Sequence, residues 1–210
     1  MTESSVRATA PARMREQIRT ELADTASALF HERGFDATTV DDIVNSVGVS
    51  RRTFFRYFAS KEDAVLQPVE AIGPSIGREL AARPPGETPA LALRRSLDVL
   101  VHDFAEREPR WRSVLRLNRN NPSLRARHLT KQDEWRAVIA AALSTRMGSG
   151  PKDTLPVLYS GLALAAVDAS LLAVDDLPMN SDLGPLIDDS FDQIGTFGAG
   201  LQLGSTGRHP

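Results

Sequence analysis

The chain has 210 residues, 41% of them hydrophobic and 25% charged, which excludes fibrous and disordered classes and allows a sizeable core. The absence of cysteine excludes disulfides, thiolate metal sites and a cysteine nucleophile. The net charge of -2 still permits a nucleic-acid-binding region, provided that its basic residues are concentrated in one segment.

The N-terminal stretch contains arginines but no apolar core of the kind found in signal peptides. We therefore expect a cytoplasmic protein that is not exported. Residues 1–12 are predicted to form a flexible arm, and residues 198–210 a second flexible tail.

The first predicted helix covers residues 15–33, where apolar residues recur at steps of three and four until Gly34. Thr39 followed by Asp42 has the spacing of a capping box and predicts a second helix that ends at Gly48. Ser50 is a cap for a third helix, and Ser60 with Asp63 predicts a fourth over residues 61–72. The front of the chain is thus predicted to contain short helices joined by tight turns.

Longer helices are predicted further along the chain, separated by segments rich in proline and glycine. Their ranges are 88–107, 109–119, 122–147, 153–175 and 183–197. No stretch alternates with the period of a strand, so the sequence predicts an all-α protein of about nine helices. The expected architecture is an N-terminal three-helix bundle with a helix-turn-helix, followed by a helical ligand-binding and dimerisation domain.

A basic segment coincides with the second and third predicted helices. Residues 43–61 contain Arg51, Arg52, Arg56 and Lys61 and no acidic residue. Hydroxyl side chains interleave with these charges and can donate hydrogen bonds to phosphate oxygens. Such a cluster alone is more often a solvated face, but its position in a short helix-turn-helix favours DNA binding.

Residues 21–65, ELADTASALFHERGFDATTVDDIVNSVGVSRRTFFRYFASKEDAV, resemble the N-terminal DNA-binding domain of the TetR family of regulators. The resemblance implies two groups of contacts. Phosphate contacts would come from Thr39, Ser50, Thr53, Tyr57 and Lys61, and base-edge contacts from Arg51, Arg52 and Phe55.

Two positions depart from the pattern of that family. Arg52 stands where the family often has a small residue, and it could contact either a guanine or a phosphate. Phe55 stands where tyrosine is usual, so a hydroxyl donor is missing.

The segment 155–174 is apolar almost all round and is predicted to be buried on every side. Its small residues at four-residue steps permit close helix packing, which favours a homodimer interface. Asp168 within it argues against a membrane span and should be paired or hydrogen-bonded. The predicted interface residues are Leu158, Gly161, Leu162, Ala165, Ala169 and Leu172.

An effector pocket is expected among the middle helices, although core packing is the commoner role for each candidate. The candidates are Phe104, Trp111, Leu115, Asn118, His128, Trp135 and Tyr159. Residues 108–143 also resemble the branch of the family that binds acyl-CoA-like ligands, which includes a mycofactocin-associated group.

These observations predict a helix-turn-helix domain over residues 13–61 and an effector-binding and dimerisation domain over 62–197. The expected function is that of a repressor that binds a palindromic operator as a dimer and is released by a small hydrophobic effector. The alternative is a helical ligand-binding or interaction protein that has lost specific DNA binding. An enzyme, a cofactor and a metal are not expected, because the four histidines are scattered and no catalytic spacing occurs.

Overall fold

A computed structural model describes residues 10–150 and 152–200, and within these ranges the chain contains helices, turns and bends but no strand. The all-α prediction is therefore confirmed. The helices are α1 (Ala10–Arg33), α2 (Val40–Val47), α3 (Arg51–Tyr57), α4 (Lys61–Leu66), α5 (Ile72–Ala82), α6 (Pro89–Ser96), α7 (Asp98–Asn120), α8 (Pro122–Met147), α9 (Leu155–Asp175) and α10 (Leu183–Gly200), and a 3-10 turn (Gln67–Val69) follows α4.

Three boundaries differ from the sequence prediction. The predicted fourth helix ends early, because the chain passes into a 3-10 turn that contains Pro68, and the predicted helix over 88–107 is divided between α6 and α7. The predicted break before Pro109 is only a kink at Arg107 (φ -128°, ψ 28°), after which α7 continues. Proline is tolerated there because it stands at the start of the second helical stretch, where its missing N–H has no partner to lose.

Part of each predicted tail belongs to a helix. The last residues of the predicted N-terminal arm, from Ala10, already belong to α1, and α10 continues to Gly200. The remaining parts of both predicted tails lie outside the described residues.

Helix α5 was not predicted, because its sequence IGPSIGRELAA contains two glycines and a proline. Both glycines lie against α8: a Cβ added to Gly73 would stand 2.1 Å from Cδ1 of Trp135, and one added to Gly77 would stand 2.6 Å from Cγ1 of Val138. The helix therefore forms because of close packing rather than helix propensity.

The chain divides into two compact units. The first unit comprises residues 10–71 and 116–129, and the second comprises residues 72–115 and 130–200 without Pro151. Residues 116–129 join the first unit although they lie beyond residue 61 in the sequence. One reason is an ion pair between Arg127 Nε and Asp63 Oδ1 of α4, at 2.6 Å.

In the first unit, α1 packs against α2 and α4, and α2 packs against α3. Its core is formed by apolar side chains that are almost wholly buried, among them Leu22, Ala26, Phe30, Ile43, Val44, Phe54 and Ala64. Arg19 of α1 forms an ion pair with Glu70, and its guanidinium carbon lies 5.8 Å from the centre of the Phe58 ring. These contacts fix the orientation of the short helices, which could not be stable alone.

In the second unit, α10 packs along α9, and α6 contacts both α5 and α9. A buried ion pair links α7 to the segment that follows α9. Glu108 and Arg112 have side chains only 5% and 6% exposed, and Arg112 Nε donates to Glu108 Oε1 at 2.8 Å. Arg112 also donates to the carbonyls of Asp175 and Pro178, and Asn180 N donates to Glu108 Oε2. The charges are therefore compensated by several hydrogen bonds.

We predict that Arg112→Ala lowers the free energy of unfolding by about 3–5 kcal/mol, because it leaves the Glu108 carboxylate buried without its partner. The matched control is Arg78→Ala. Arg78 is exposed on α5 in the same unit, so the control should cost less than about 0.5 kcal/mol. Urea denaturation at fixed protein concentration measures both; equal stability of the two variants would contradict the role given to the buried pair.

Candidate functional site

The entry to the helix-turn-helix is fixed by a capping box. Thr39 Oγ1 accepts from Asp42 N at 3.2 Å, and Thr39 N donates to Asp42 Oδ2 at 2.8 Å. The hydrogen bonds from Thr39 lower the pKa of the Asp42 carboxyl. Helix α2 ends at Gly48, which has a left-handed conformation (φ 77°) and donates its N–H to Val44 O. The predicted cap and stop of this helix are confirmed.

Helix α3 begins at Ser50, whose side chain accepts from Thr53 N at 3.1 Å. Its faces are sharply different. Phe54 and Phe58 are buried, with ring centres 5.5 Å apart, whereas Arg51, Arg52 and the Phe55 ring are exposed. The short helix thus presents cations and one aromatic ring on its outer side.

A shallow cleft of about 440 Å³ lies on this outer side, lined by Ser50, Arg52, Thr53, Phe55 and Arg56. The two hydroxyls lie 3.0 Å apart, next to the N-terminal end of α3. Two guanidinium groups and two hydroxyls are the donors that a phosphodiester oxygen accepts from. The sequence-predicted residues Ser50, Arg52, Thr53 and Phe55 are therefore brought together.

Arg51 has a partner that the sequence did not indicate. Its Nη1 donates to both carboxylate oxygens of Asp41, at 2.8 and 3.0 Å. Its guanidinium carbon lies 5.9 Å from the centre of the Phe55 ring. Since Asp41 stands in the first turn of α2, the pair joins the two helices of the motif at their exposed side.

Three other residues that were predicted to contact DNA already make hydrogen bonds within the protein. The Thr39 hydroxyl donates to Asp42 at 2.5 Å, and Lys61 Nζ donates to the carbonyls of Phe35 (2.7 Å) and Thr38 (3.1 Å). The Tyr57 hydroxyl accepts from Arg56 at 3.3 Å, which leaves its own hydrogen to donate. Lys61 thus ties the α1–α2 loop to α4, and only its third N–H remains for a phosphate.

Two residues of this surface were not among the sequence-predicted contacts. Arg56 could have been found, because it is four residues after Arg52 and shares its helix face. Asp41 could not have been found in this way, since its distance from Arg51 depends on how α2 and α3 cross.

The effector candidates are divided between the two units. Phe104 and Trp111 are both buried in the second unit, with ring centres 6.2 Å apart, and Trp111 Nε1 donates to Asp103 Oδ2 at 2.8 Å. Trp135 is buried against Gly73, while Leu115 and Tyr159 are half-buried. Phe104 and Trp111 therefore form one aromatic cluster, and Trp135 packs on α5.

Asn118 and His128 belong to the first unit. The Oδ1 atom of Asn118 is buried and accepts no hydrogen bond from the described residues. Burial lowers the pKa of His128, and the nearby charge of Arg125 lowers it further. A neutral imidazole and a buried amide oxygen are groups that can accept hydrogen bonds from a ligand.

Helix α9 leaves one face uncovered in the single chain, so the predicted burial on every side would require a partner to cover that face. Leu158 and Leu172 are 52% and 58% exposed. The other face is buried, and Gln132 Nε2 donates to Asp168 at 2.6 Å, as expected of a carboxylate in such a helix. The uncovered face also carries Ala165 and Ala169, which lie beside α10, where a groove forms.

That groove has a volume of about 420 Å³ and runs between α9 and α10. The predicted interface residues Leu162, Ala165 and Ala169 line it, whereas Gly161 lies beside Arg136 of α8. The Ser170 and Ser190 hydroxyls are 3.1 Å apart and join the two helices at its floor. None of the seven effector candidates lines it.

Comparison with known proteins places these features in a family. Residues 22–67 match the family described as bacterial regulatory proteins, tetR family, and residues 87–197 match the MftR C-terminal domain. The chain is 31% identical over 159 residues to a Mycobacterium tuberculosis protein assigned as the mycofactocin biosynthesis transcriptional regulator MftR. That alignment covers 70% of this chain and 76% of the relative.

A second relative is the HTH-type transcriptional regulator TcmR of Streptomyces glaucescens, which is 32% identical over 136 residues. This alignment covers 62% of the chain but only 60% of TcmR. Among solved structures, FadR of Thermus thermophilus, a TetR-family repressor in complex with lauroyl-CoA, superposes with a TM-score of 0.55 at 24% identity. That superposition covers 91% of this chain and 98% of FadR, and it supports the fold. Both halves of the chain therefore match the same class of protein, and the chain belongs to the TetR family of bacterial transcriptional regulators.

Proposed function

We propose that this protein is a ligand-responsive repressor that binds a palindromic operator as a homodimer and dissociates from it when a small hydrophobic effector binds. The observation that carries this proposal is the outer side of α3. Three arginines and Thr53 lie there on a seven-residue helix, with the Ser50 hydroxyl at its N-cap, while the buried rings of Phe54 and Phe58 hold it in place. A major groove accepts a helix of this kind, with its N-terminal residues towards the bases.

Within this surface we infer different roles for the two N-terminal arginines. Arg52 shares its cleft with Ser50, Thr53 and Arg56, a set of donors suited to one or two phosphate oxygens. Arg52 is therefore a phosphate contact in this proposal, and a guanine contact is the alternative that the experiment below distinguishes. Arg51 lies apart from the cleft, beside Asp41 and Phe55.

The proposed dimer interface is the uncovered face of α9 together with the groove beside α10. Exposed leucines on a long apolar helix need a cover, and alanines allow a second helix to approach closely. A symmetric pair of chains would cover both copies of the groove at once.

A membrane is the other environment that could cover α9, since the helix is long and apolar enough to cross one. Its packing argues for a protein interface instead. Ser160 and Ser170 are buried and bonded to backbone carbonyls, and Asp168 accepts from Gln132 of α8. A helix that already packs on α10 and α6 has only one face left for a partner.

For the effector we propose an acyl-CoA or a similar amphipathic ligand, because FadR binds lauroyl-CoA and the C-terminal half matches the MftR domain. The aromatic pair Phe104 and Trp111 of the second unit offers the apolar surface for the acyl chain in this proposal. Release of DNA would then follow from preferential binding of the ligand to a conformation that fits the operator poorly.

We predict that Arg52→Ala weakens binding to selected operator DNA and to scrambled DNA by the same factor, about tenfold, because a phosphate contact carries no sequence information. The slope of log affinity against log salt should become smaller by about one. Fluorescence anisotropy from 50 to 200 mM salt measures this, with Arg78→Ala as the control of unchanged affinity. If Arg52→Ala changes the ratio of operator to scrambled affinity and leaves the salt slope unchanged, Arg52 contacts a base instead. If the wild type itself binds both DNAs equally, the alternative of a protein that has lost specific DNA binding is favoured.

We predict that Ala169→Arg weakens the dimer by at least about a hundredfold, since it would place an unpaired cation in an apolar interface. Ala105→Arg on the exposed side of α7 is the matched control and should leave the dimer intact. Sedimentation velocity over a concentration series distinguishes the two. A dimer that persists in the Ala169 variant would show that this face is not the interface.

We predict that lauroyl-CoA lowers operator affinity at least about tenfold, which corresponds to a coupling of about 1.4 kcal/mol, whereas free coenzyme A does not. The chain has two tryptophans, so the variant Trp135→Phe leaves Trp111 as the single reporter beside Phe104. A saturable change in its fluorescence should occur over the same ligand range as DNA release. Release of DNA without a change in Trp111 fluorescence would show that the ligand binds away from Trp111.

A further inference from the structure

We propose that Asp41 is a specificity-determining residue: it holds the Arg51 guanidinium in the orientation that contacts a guanine, and it opposes the use of Arg51 as a general phosphate contact. This inference rests on the proposed DNA-binding surface and extends it. A carboxylate next to a DNA-binding helix repels phosphates, so its presence beside the first residue of α3 requires a reason.

The geometry leaves half of the guanidinium available. Both hydrogen bonds to Asp41 use the same nitrogen, Nη1, at 2.8 and 3.0 Å. Among residues 10–150 and 152–200, no hydrogen bond is made by Nε or Nη2, and the side chain is 60% exposed. The Nε–Nη2 edge is the fork that can donate two parallel hydrogen bonds to O6 and N7 of guanine.

Two further contacts reduce the freedom of this pair. Phe55 lies below the guanidinium, 5.9 Å from its carbon, and its ring meets the buried Phe54 ring edge to face at 5.4 Å. Asp41 is held in turn by α2, whose first turn favours a negative charge. Arg51 is therefore restrained on two sides by groups fixed in the first unit.

The same arrangement disfavours a phosphate as the partner of Arg51. A phosphate bound to the free edge would bring a negative charge close to the Asp41 carboxylate and be repelled by it. The edge of a guanine carries no net charge, so its binding there is not opposed in the same way. The pair should consequently weaken binding to arbitrary DNA while it preserves binding to sites with the matching guanine. An exposed ion pair contributes little to stability, so a role in recognition explains it better than a role in folding.

The test uses the full-length protein and a randomised library of double-stranded DNA, with bound molecules sequenced after selection. The variants are Asp41→Asn, Arg51→Ala, the double variant, and the control Asp36→Asn, which removes an exposed charge from the same unit. Melting temperatures establish that each variant is folded. Affinity for a fixed scrambled duplex is measured in parallel.

For the wild type we expect one guanine per half-site whose enrichment disappears in Arg51→Ala. Asp41→Asn should lower that enrichment about five- to tenfold and raise affinity for scrambled DNA about three- to tenfold. In the Arg51→Ala background the Asp41 change should alter affinity for scrambled DNA less than twofold, because its partner is missing. The Asp36 control should retain the wild-type enrichment.

Two results overturn the inference in distinguishable ways. If the wild type enriches no sequence, specific DNA binding itself is refuted, and the role of Asp41 fails with it. If the wild type enriches a site and Asp41→Asn retains the same guanine preference, the DNA-binding proposal stands and the role of Asp41 alone is refuted. An equal effect of Asp41→Asn with and without Arg51 also refutes it, since the carboxylate would then act independently.

Discussion

The proposed DNA-binding surface depends on the burial of one side of a helix that is too short to exist alone. Helix α3 has seven residues, below the length at which isolated helices persist in water. The complete burial of Phe54 and the near-complete burial of Phe58 determine which residues face outwards. Because the period of the helix is fixed, that choice also exposes Arg51, Arg52 and Phe55 together. The hydrophobic core of the first unit thereby sets the chemistry of its surface.

Local signals in the sequence are sufficient to predict where the short helices of this region begin. The caps at Thr39, Ser50 and Ser60 each accept from the N–H three residues later, as the spacing predicted. Such bonds depend only on neighbouring residues, so no tertiary information is needed to find them. The partners of Arg51 and Lys61 were not predictable, because Asp41 and the carbonyls of Phe35 and Thr38 approach them only through helix packing.

The same distinction explains what the sequence missed in the second unit. Helix α5 contains residues that disfavour helices, yet its glycines are the positions where Trp135 and Val138 pack most closely. The proline at 109 looked like a break, but α7 continues past it, and Glu108 beside it is neutralised by Arg112 one turn later. At α5 a long-range contact outweighs the local preference, which sequence periodicity alone cannot reveal.

Length and apolarity alone do not tell whether α9 should face lipid, core or a partner, since all three favour the same composition. The buried side carries hydroxyls and a carboxylate that already have partners, and the uncovered side carries alanines and leucines beside a groove. Small side chains bring helix axes close together, so an interface built on them would be rigid. A two-fold dimer that reads half-sites one helical turn apart needs such rigidity, because the spacing of its two recognition helices must match the repeat of the duplex. In the proposed function the alanine-rich face of α9 and the arginines of α3 are therefore complementary: the arginines would contact DNA, and the alanines would allow the close dimer that presents two copies of them.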